Sequence, residues 1–128
     1  MAISIKHLRV PDTEGVVPTP NVYGGKGTID IGYFFRQEGF AEPALLLIYT
    51  LPPGASEGLH THCPGEESGS FDEFYYVISG SGDMSIDGDC VPVNAGDYVY
   101  VPNGVPHGIA NTSDTHPLKV HLTALTRD

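Results

Sequence analysis

The segment Leu118-Lys-Val-His-Leu-Thr-Ala124 alternates apolar and polar residues, the period of a strand with one covered and one open face. Ala44-Leu-Leu-Leu-Ile-Tyr-Thr-Leu51 is apolar on both parities, so both of its faces should be covered. That second cover has two possible sources: a partner subunit, which predicts a homodimer, or the chain's own N-terminal segment. Strands are predicted over residues 28–35, 44–51, 58–62, 73–79, 83–86, 98–101, 108–111 and 118–126. Between them lie Pro52-Pro53-Gly54, Gly80-Ser81-Gly82, Asp87-Gly88-Asp89 and Asn94-Ala95-Gly96-Asp97. Each is a turn made by the set φ of proline or the positive φ open to glycine.

Composition narrows the fold. Sixteen glycines and eleven prolines, about a fifth of 128 residues, are spread so evenly that no long helix fits. A helical bundle and a doubly wound α/β fold are excluded, leaving an all-β sandwich or barrel of one domain. Pro11, Pro18, Pro20 and the Gly24-Gly25 pair set residues 1–27 apart as an extended N-terminal arm, with residues 28–128 as the domain proper.

Charge then limits the partners. Sixteen acidic against six basic side chains give a formal charge of −10, with no Lys/Arg cluster, so nucleic acid and anionic membranes are poor partners. No apolar run reaches spanning length, and the opening Met-Ala-Ile-Ser-Ile-Lys-His lacks the apolar core of a secretory signal. A cytoplasmic location is expected, with Cys63 and Cys90 as free thiols.

His60 and His62 stand two apart in a predicted strand, so their rings share a face about 6 to 7 Å apart, a spacing at which two imidazoles can hold one metal. The pair belongs to a larger pattern. Gly54, five residues, His60-Thr-His62, then Glu73, six residues and Gly80 form one block. Gly96, five residues, Pro102-Asn-Gly104, two residues, His107, three residues and Asn111 form a second. The two blocks resemble the paired motifs of the cupin superfamily, and residues 81–95 between them match the short spacing of small single-domain members.

The resemblance implies an antiparallel jelly-roll barrel, open at one end, with a divalent metal held inside by three histidines and a glutamate. His60, His62 and His107 match the histidine positions. Asn111 matches the closing asparagine, and Gly54, Gly80, Gly96, Pro102 and Gly104 match turn positions. The carboxylate departs from the pattern. In most cupins three or four residues separate it from the second histidine, which would select Glu66 or Glu67, both in a Pro-Gly-Ser-Gly loop. Glu73 keeps the six residues before Gly80 and opens the strand, so Glu73 is taken as ligand and residues 63–72 as an insertion at the barrel mouth. His121 is the substitute should Glu73 fail.

Three neutral imidazoles and one carboxylate around a divalent ion leave a net charge near +1 and open coordination positions, which suits Fe, Mn, Ni, Co or Zn. With Glu73 inward, Tyr75 points inward too and is the phenol placed for hydrogen bonding or proton relay. Tyr33, Phe35, Leu47, Tyr49 and Tyr98 are further candidates for the cavity wall. Two function classes stand open. One is a metal-dependent enzyme on a small oxygenated substrate, either an isomerase, cyclase or lyase, or an Fe(II) dioxygenase. The other is a non-catalytic module that binds a metal or a small ligand.

Overall fold

The computed structural model describes residues 7–36, 38–66 and 69–127. Its strands are β1 (Val16–Pro20), β2 (Thr28–Tyr33), β3 (Leu45–Leu51), β4 (Phe71–Ser79), β5 (Ser81–Ile86), β6 (Asp89–Asn94), β7 (Tyr98–Val101), β8 (His107–Ala110) and β9 (Leu118–Thr126). A short turn, Val22–Gly24, joins β1 to β2. Six strands form one sheet in the order β1-β2-β3-β9-β4-β7, and three form a second, β6-β5-β8. Every ladder is antiparallel, so the all-β architecture matches the expectation.

Alternation decides which side chains enter the core. On β9, Leu118, Val120, Leu122 and Ala124 are buried, while Lys119, His121 and Thr123 on the other parity are half-buried. Leu47, Tyr49 and Leu51 of β3, Glu73, Tyr75 and Val77 of β4, and Ile29 and Ile31 of β2 complete that inner face. Met84, Val93 and Ile109 meet them from the smaller sheet. Each fully buried large aliphatic chain contributes about 1.5 to 3 kcal/mol, so this interior holds the two sheets together. Register places Glu73, Ala124 and Leu45 in one row across β4, β9 and β3, with Tyr75, Leu122, Leu47 and Tyr33 in the next.

Two strands, β1 and β6, were not predicted. Both are sheet edges and both carry prolines, Pro18 and Pro20 in one and Pro92 in the other, which an edge tolerates because it needs fewer N–H donors. The strand expected over residues 58–62 does not form. Instead, Ser56 bridges Ala110 and His60 bridges His107, so four steps along one segment face three along the other. The extra residue is a bulge, which breaks the ladder and switches which face a side chain meets. The β5–β6 hairpin turns at Asp87 and Gly88, with φ of 50° and 86°, the two left-handed residues of a type I′ turn.

The outer face of the large sheet carries Phe74 stacked on Tyr100 and Tyr76 tilted against Tyr98. On β3, Leu46 and Ile48 are half-buried outward. Part of the cover on this side comes from the segment before β1, where Asp12 pairs with Lys119 at 2.7 Å.

Candidate metal centre

After β3 the chain turns at Pro52-Pro53-Gly54 and runs beside β8. There the backbones of His60 and His107 exchange two hydrogen bonds of 3.0 Å. His62 follows, and Glu73 enters from the inner face of β4. These four side chains bring one donor atom each to within 4.8 Å of all the others. Glu73 Oε1 lies 3.0 Å from both His62 Nε2 and His107 Nε2. Ring centroids of His60 lie 4.7 Å from those of His62 and 4.3 Å from those of His107.

Backbone carbonyls orient two of the rings. A carbonyl oxygen only accepts, so His60 Nδ1–H donates to Gly58 O at 2.8 Å and His107 Nδ1–H donates to Val105 O at 2.9 Å. In the neutral rings each Nε2 is then a lone pair directed inward, the arrangement a metal-ligating histidine needs. His60 Nε2 is buried with no hydrogen-bond partner among the described residues. A buried nitrogen lone pair without a donor is costly, and a cation at this point would satisfy it. A divalent ion about 2.1 Å from each donor requires neighbouring donors about 3 Å apart, so the separations around Glu73 Oε1 fit one. Three imidazole nitrogens and one carboxylate oxygen form the donor set, and the residues present fit a metal of the Fe, Mn, Ni, Co or Zn group.

The ligands differ in charge in the metal-free site: with Nδ1–H given to Val105 O, His107 donates from Nε2 to Glu73 only as the protonated ring, and a bound ion would replace that proton. Burial pushes His60 down to about 4, so its ring is a neutral donor at pH 7. Burial also opposes the charge on Glu73, but hydrogen bonds from His107 and His62, and their charges, hold its carboxyl down to about 2. For His107 burial works against protonation, yet the Glu73 contact, the Val105 carbonyl and the nearby acids outweigh it and raise the ring.

A second buried carboxylate, Glu57, has no place in the sequence reading. Tyr49 O–H donates to its Oε2 at 2.6 Å and Tyr75 O–H donates to its Oε1 at 2.8 Å. Its Oε2 lies 3.9 Å from His60 Nε2. Burial and then the charge of Glu73 push it up to about 7, against the two phenol hydrogen bonds. The hydroxyl of Tyr75 is thus given to Glu57, and its ring stands edge-on to His107 at 5.8 Å. The only sequence signal for Glu57 is its place among the five residues between Gly54 and His60.

The other candidates separate cleanly. Glu66 is exposed and accepts from Thr61 Oγ1 at 3.1 Å, outside the cluster, and Glu67 lies outside the described residues. His121 sits on the outer parity of β9, paired between Ile48 and Tyr76, and burial alone lowers its pKa. Asn111 is scaffold: its Nδ2 donates to Leu51 O at 3.0 Å and His116 O at 2.8 Å. Asn103 ties down the loop before β4, with Nδ2 donating to His62 O, to Ser70 Oγ at 2.9 Å and to Phe71 O at 3.2 Å. Tyr33, Phe35 and Leu47 line a cavity of about 280 Å³ with Phe40 and Leu45. Tyr49 is spent on Glu57, and Tyr98 is 73 % exposed on the outer face. The ring of Tyr23, from the turn before β2, stacks on His60 with centroids 3.6 Å apart and planes at 7°.

The profile of the Cupin domain family matches residues 47–124. An oxalate-binding protein of Thermotoga maritima is 38% identical over 96 residues, 74% of each chain. A crystal structure of a predicted oxalate decarboxylase from Thermotoga maritima superimposes with a TM-score of 0.82 at 30% identity, covering 94% of this chain and 100% of that one. A Cupin 2 conserved barrel domain protein from Salinispora arenicola shares the fold, with a TM-score of 0.70 at 20% identity over 95% of this chain and 90% of that one. No helix among the described residues is long and apolar enough to cross a membrane.

Proposed function

This chain belongs to the cupin family, and from that premise we propose a mononuclear-metal enzyme acting on a small oxygenated organic molecule. His60, His62, Glu73 and His107 hold one divalent ion, and the observation that carries this reading is the buried His60 Nε2, without a hydrogen-bond partner among the described residues, beside three further converging donors. When bound, such an ion polarises the oxygens of a ligand as a Lewis acid or, if it is Fe(II), activates O₂. Relatives named for oxalate support a small carboxylate as the ligand class.

The chain's own residues supply the setting. Glu73 is the anionic ligand, kept charged by His62 and His107. Tyr75 acts through Glu57, whose carboxylate it holds close to His60. The cavity of about 280 Å³ walled by Tyr33, Phe35, Leu45 and Leu47 is lined by none of the four ligands and has no part in this reading.

A second reading, a non-catalytic binder of a small carboxylate, is favoured by the relative named an oxalate-binding protein. One experiment addresses both. Metal-stripped protein is loaded with Mn, Fe(II), Co, Ni or Zn in turn, and oxalate binding is followed by calorimetry alongside CO₂ release and O₂ uptake. Oxalate should bind the loaded wild type and not His60→Ala. Turnover identifies an enzyme, and binding without turnover of oxalate or related small acids identifies the binder. Failure of every metal to bind the wild type overturns both readings.

The same reading takes the protein as a cytoplasmic homodimer paired through the outer sheet face, where Tyr98 and Tyr100 are exposed. A single-chain mass in sedimentation equilibrium would overturn the pairing.

A further inference from the structure

Tyr23 occupies an unusual backbone position. Its φ of 50° and ψ of 36° lie in the left-handed region, where glycine or asparagine is the ordinary occupant. Glycine stands close by at Gly24, Gly25 and Gly27, yet this left-handed residue carries a large aromatic ring. Burial in the core does not account for it, because Tyr23 is 43 % exposed and Val22 is the residue of this turn that enters the core.

Nor is the ring needed to dock the turn. Gly58 N donates to Val22 O and Ser56 N donates to Lys26 O, both at 2.8 Å. The two segments approach so closely that a Cβ on Gly58 would lie 1.9 Å from Tyr23 O, and one on Gly25 would lie 2.0 Å from Ser56 O. Backbone and glycines therefore seat the turn against the segment leading to His60. The tyrosine ring makes a face contact on the His60 imidazole and an edge contact on His62 at 6.0 Å.

His60 differs from the other two histidines in one respect. Glu73 reaches His62 and His107 at 3.0 Å, whereas the carboxylate beside His60, that of Glu57, stands 3.9 Å from Nε2, beyond hydrogen-bond reach. The hydrogen bond from Nδ1 to Gly58 O sets the tautomer and one edge of the ring, but does not by itself fix the tilt about that edge. The His62 and His107 rings stand 4.7 and 4.3 Å away at steep angles, and the parallel Tyr23 ring at 3.6 Å is the one laid flat against the imidazole face. Persistence of a strained backbone beside such a contact is the pattern expected where the strain serves a site.

We propose that Tyr23 is a positioning residue for the metal ligand His60: stacked on the imidazole, it keeps Nε2 aimed at the ion and takes the place of the carboxylate anchor that the other two histidines have. The N-terminal segment is then part of the metal centre. This rests on the metal reading above, and the test separates the two.

Wild type, Tyr23→Phe, Tyr23→Ala and Tyr23→Gly are titrated with Co²⁺, reading affinity and the d–d absorption spectrum, and their metal-free forms are compared by thermal denaturation. Glycine suits the left-handed backbone, so it maintains the turn while deleting the ring. Tyr23→Phe should bind like wild type. Tyr23→Ala and Tyr23→Gly should bind about ten-fold more weakly or worse, with an altered spectrum, although metal-free Tyr23→Gly melts no lower than wild type. Wild-type affinity in Tyr23→Gly would overturn the proposal, as would equal losses in the Phe and Ala variants. If the wild type takes up no Co²⁺, the metal reading fails, and ring positioning is decided by NMR of the metal-free protein. There the His60 ring protons of wild type and Tyr23→Phe must lie upfield of those in Tyr23→Gly, and coincident shifts would overturn it.

Discussion

Glu73 and Glu57 are equally buried, each 4 % exposed, and they share the interior of one barrel, yet their carboxyls are driven in opposite directions. Glu73 is held down to about 2 and Glu57 is raised to about 7. Burial penalises the charge on both, so burial does not decide the outcome. The partners do. Glu73 faces His62 and His107, which can carry the opposite charge, whereas Glu57 faces two phenols that donate hydrogen bonds without charge and also feels the negative charge of Glu73. A carboxylate kept ionised beside imidazoles can serve a cation, and one held by phenols is better suited to carrying a proton.

The largest test of this contrast is metal content. Glu73→Ala, like His60→Ala and His107→Ala, should reduce bound metal from about one ion per chain to nearly none, while Glu57→Gln retains it. Elemental analysis of dialysed protein checks this, and metal retained in Glu73→Ala but lost in Glu57→Gln would reverse the assignment of the two acids.

The next test reads their pKa shifts as stability of the metal-free protein. Folded Glu57 binds a proton more tightly than the unfolded chain, so its contribution is full below the ordinary glutamate value of 4.5 and is lost as pH rises through about 7. That loss is about 3 kcal/mol, and Glu57→Gln should remove it. Folded Glu73 is shifted the other way, so its contribution is full above 4.5 and is lost as pH falls toward 2. His60, depressed to about 4, adds stability above 6.5 that is lost on acidification, a slope opposite to that of Glu57. Urea denaturation of wild type and Glu57→Gln across pH 4 to 8 therefore isolates Glu57 in the difference curve. A flat difference would break the contrast.

Smaller effects should follow from the phenols and the loop. Tyr75→Phe leaves Glu57 with one donor fewer, which should cost about 1 to 3 kcal/mol in denaturation and raise the Glu57 carboxyl further. Glu66→Ala removes an exposed acid outside the cluster, so metal content should be unchanged and stability should move by less than about 0.5 kcal/mol. Loss of metal in that variant would show that the loop carboxylate, and not the strand carboxylate, completes the site.

The alternating pattern of β9 and the double-sided apolar pattern of β3 made those strands legible before any coordinates, because a strand between covered faces must write its environment into its parity. Edge strands β1 and β6 are bound by no such rule, and their prolines read as loop. Among candidate site residues, His60, His62, Glu73 and His107 came from the resemblance of the two spaced blocks to the cupin motifs, and the fold brings these four side chains together. Glu57 escaped for a local reason. It lies three residues before His60, which in a regular strand means the opposite face, but the bulge between Ser56 and His60 adds a residue and brings Glu57 round to the same interior. No parity argument reveals a bulge from one chain's residues alone.

By itself the sequence determined the all-β class and the turns, which follow from local conformational preference, and it suggested a donor set only through the resemblance of its two spaced blocks to the cupin motifs. Tertiary structure alone decided which carboxylate stays charged, that Tyr75 is committed to Glu57, and that Tyr23 from the first turn lies against His60. Those facts depend on partners brought together from distant segments, and a pKa or a ring plane is set by what stands within a few ångströms, whatever its position along the chain.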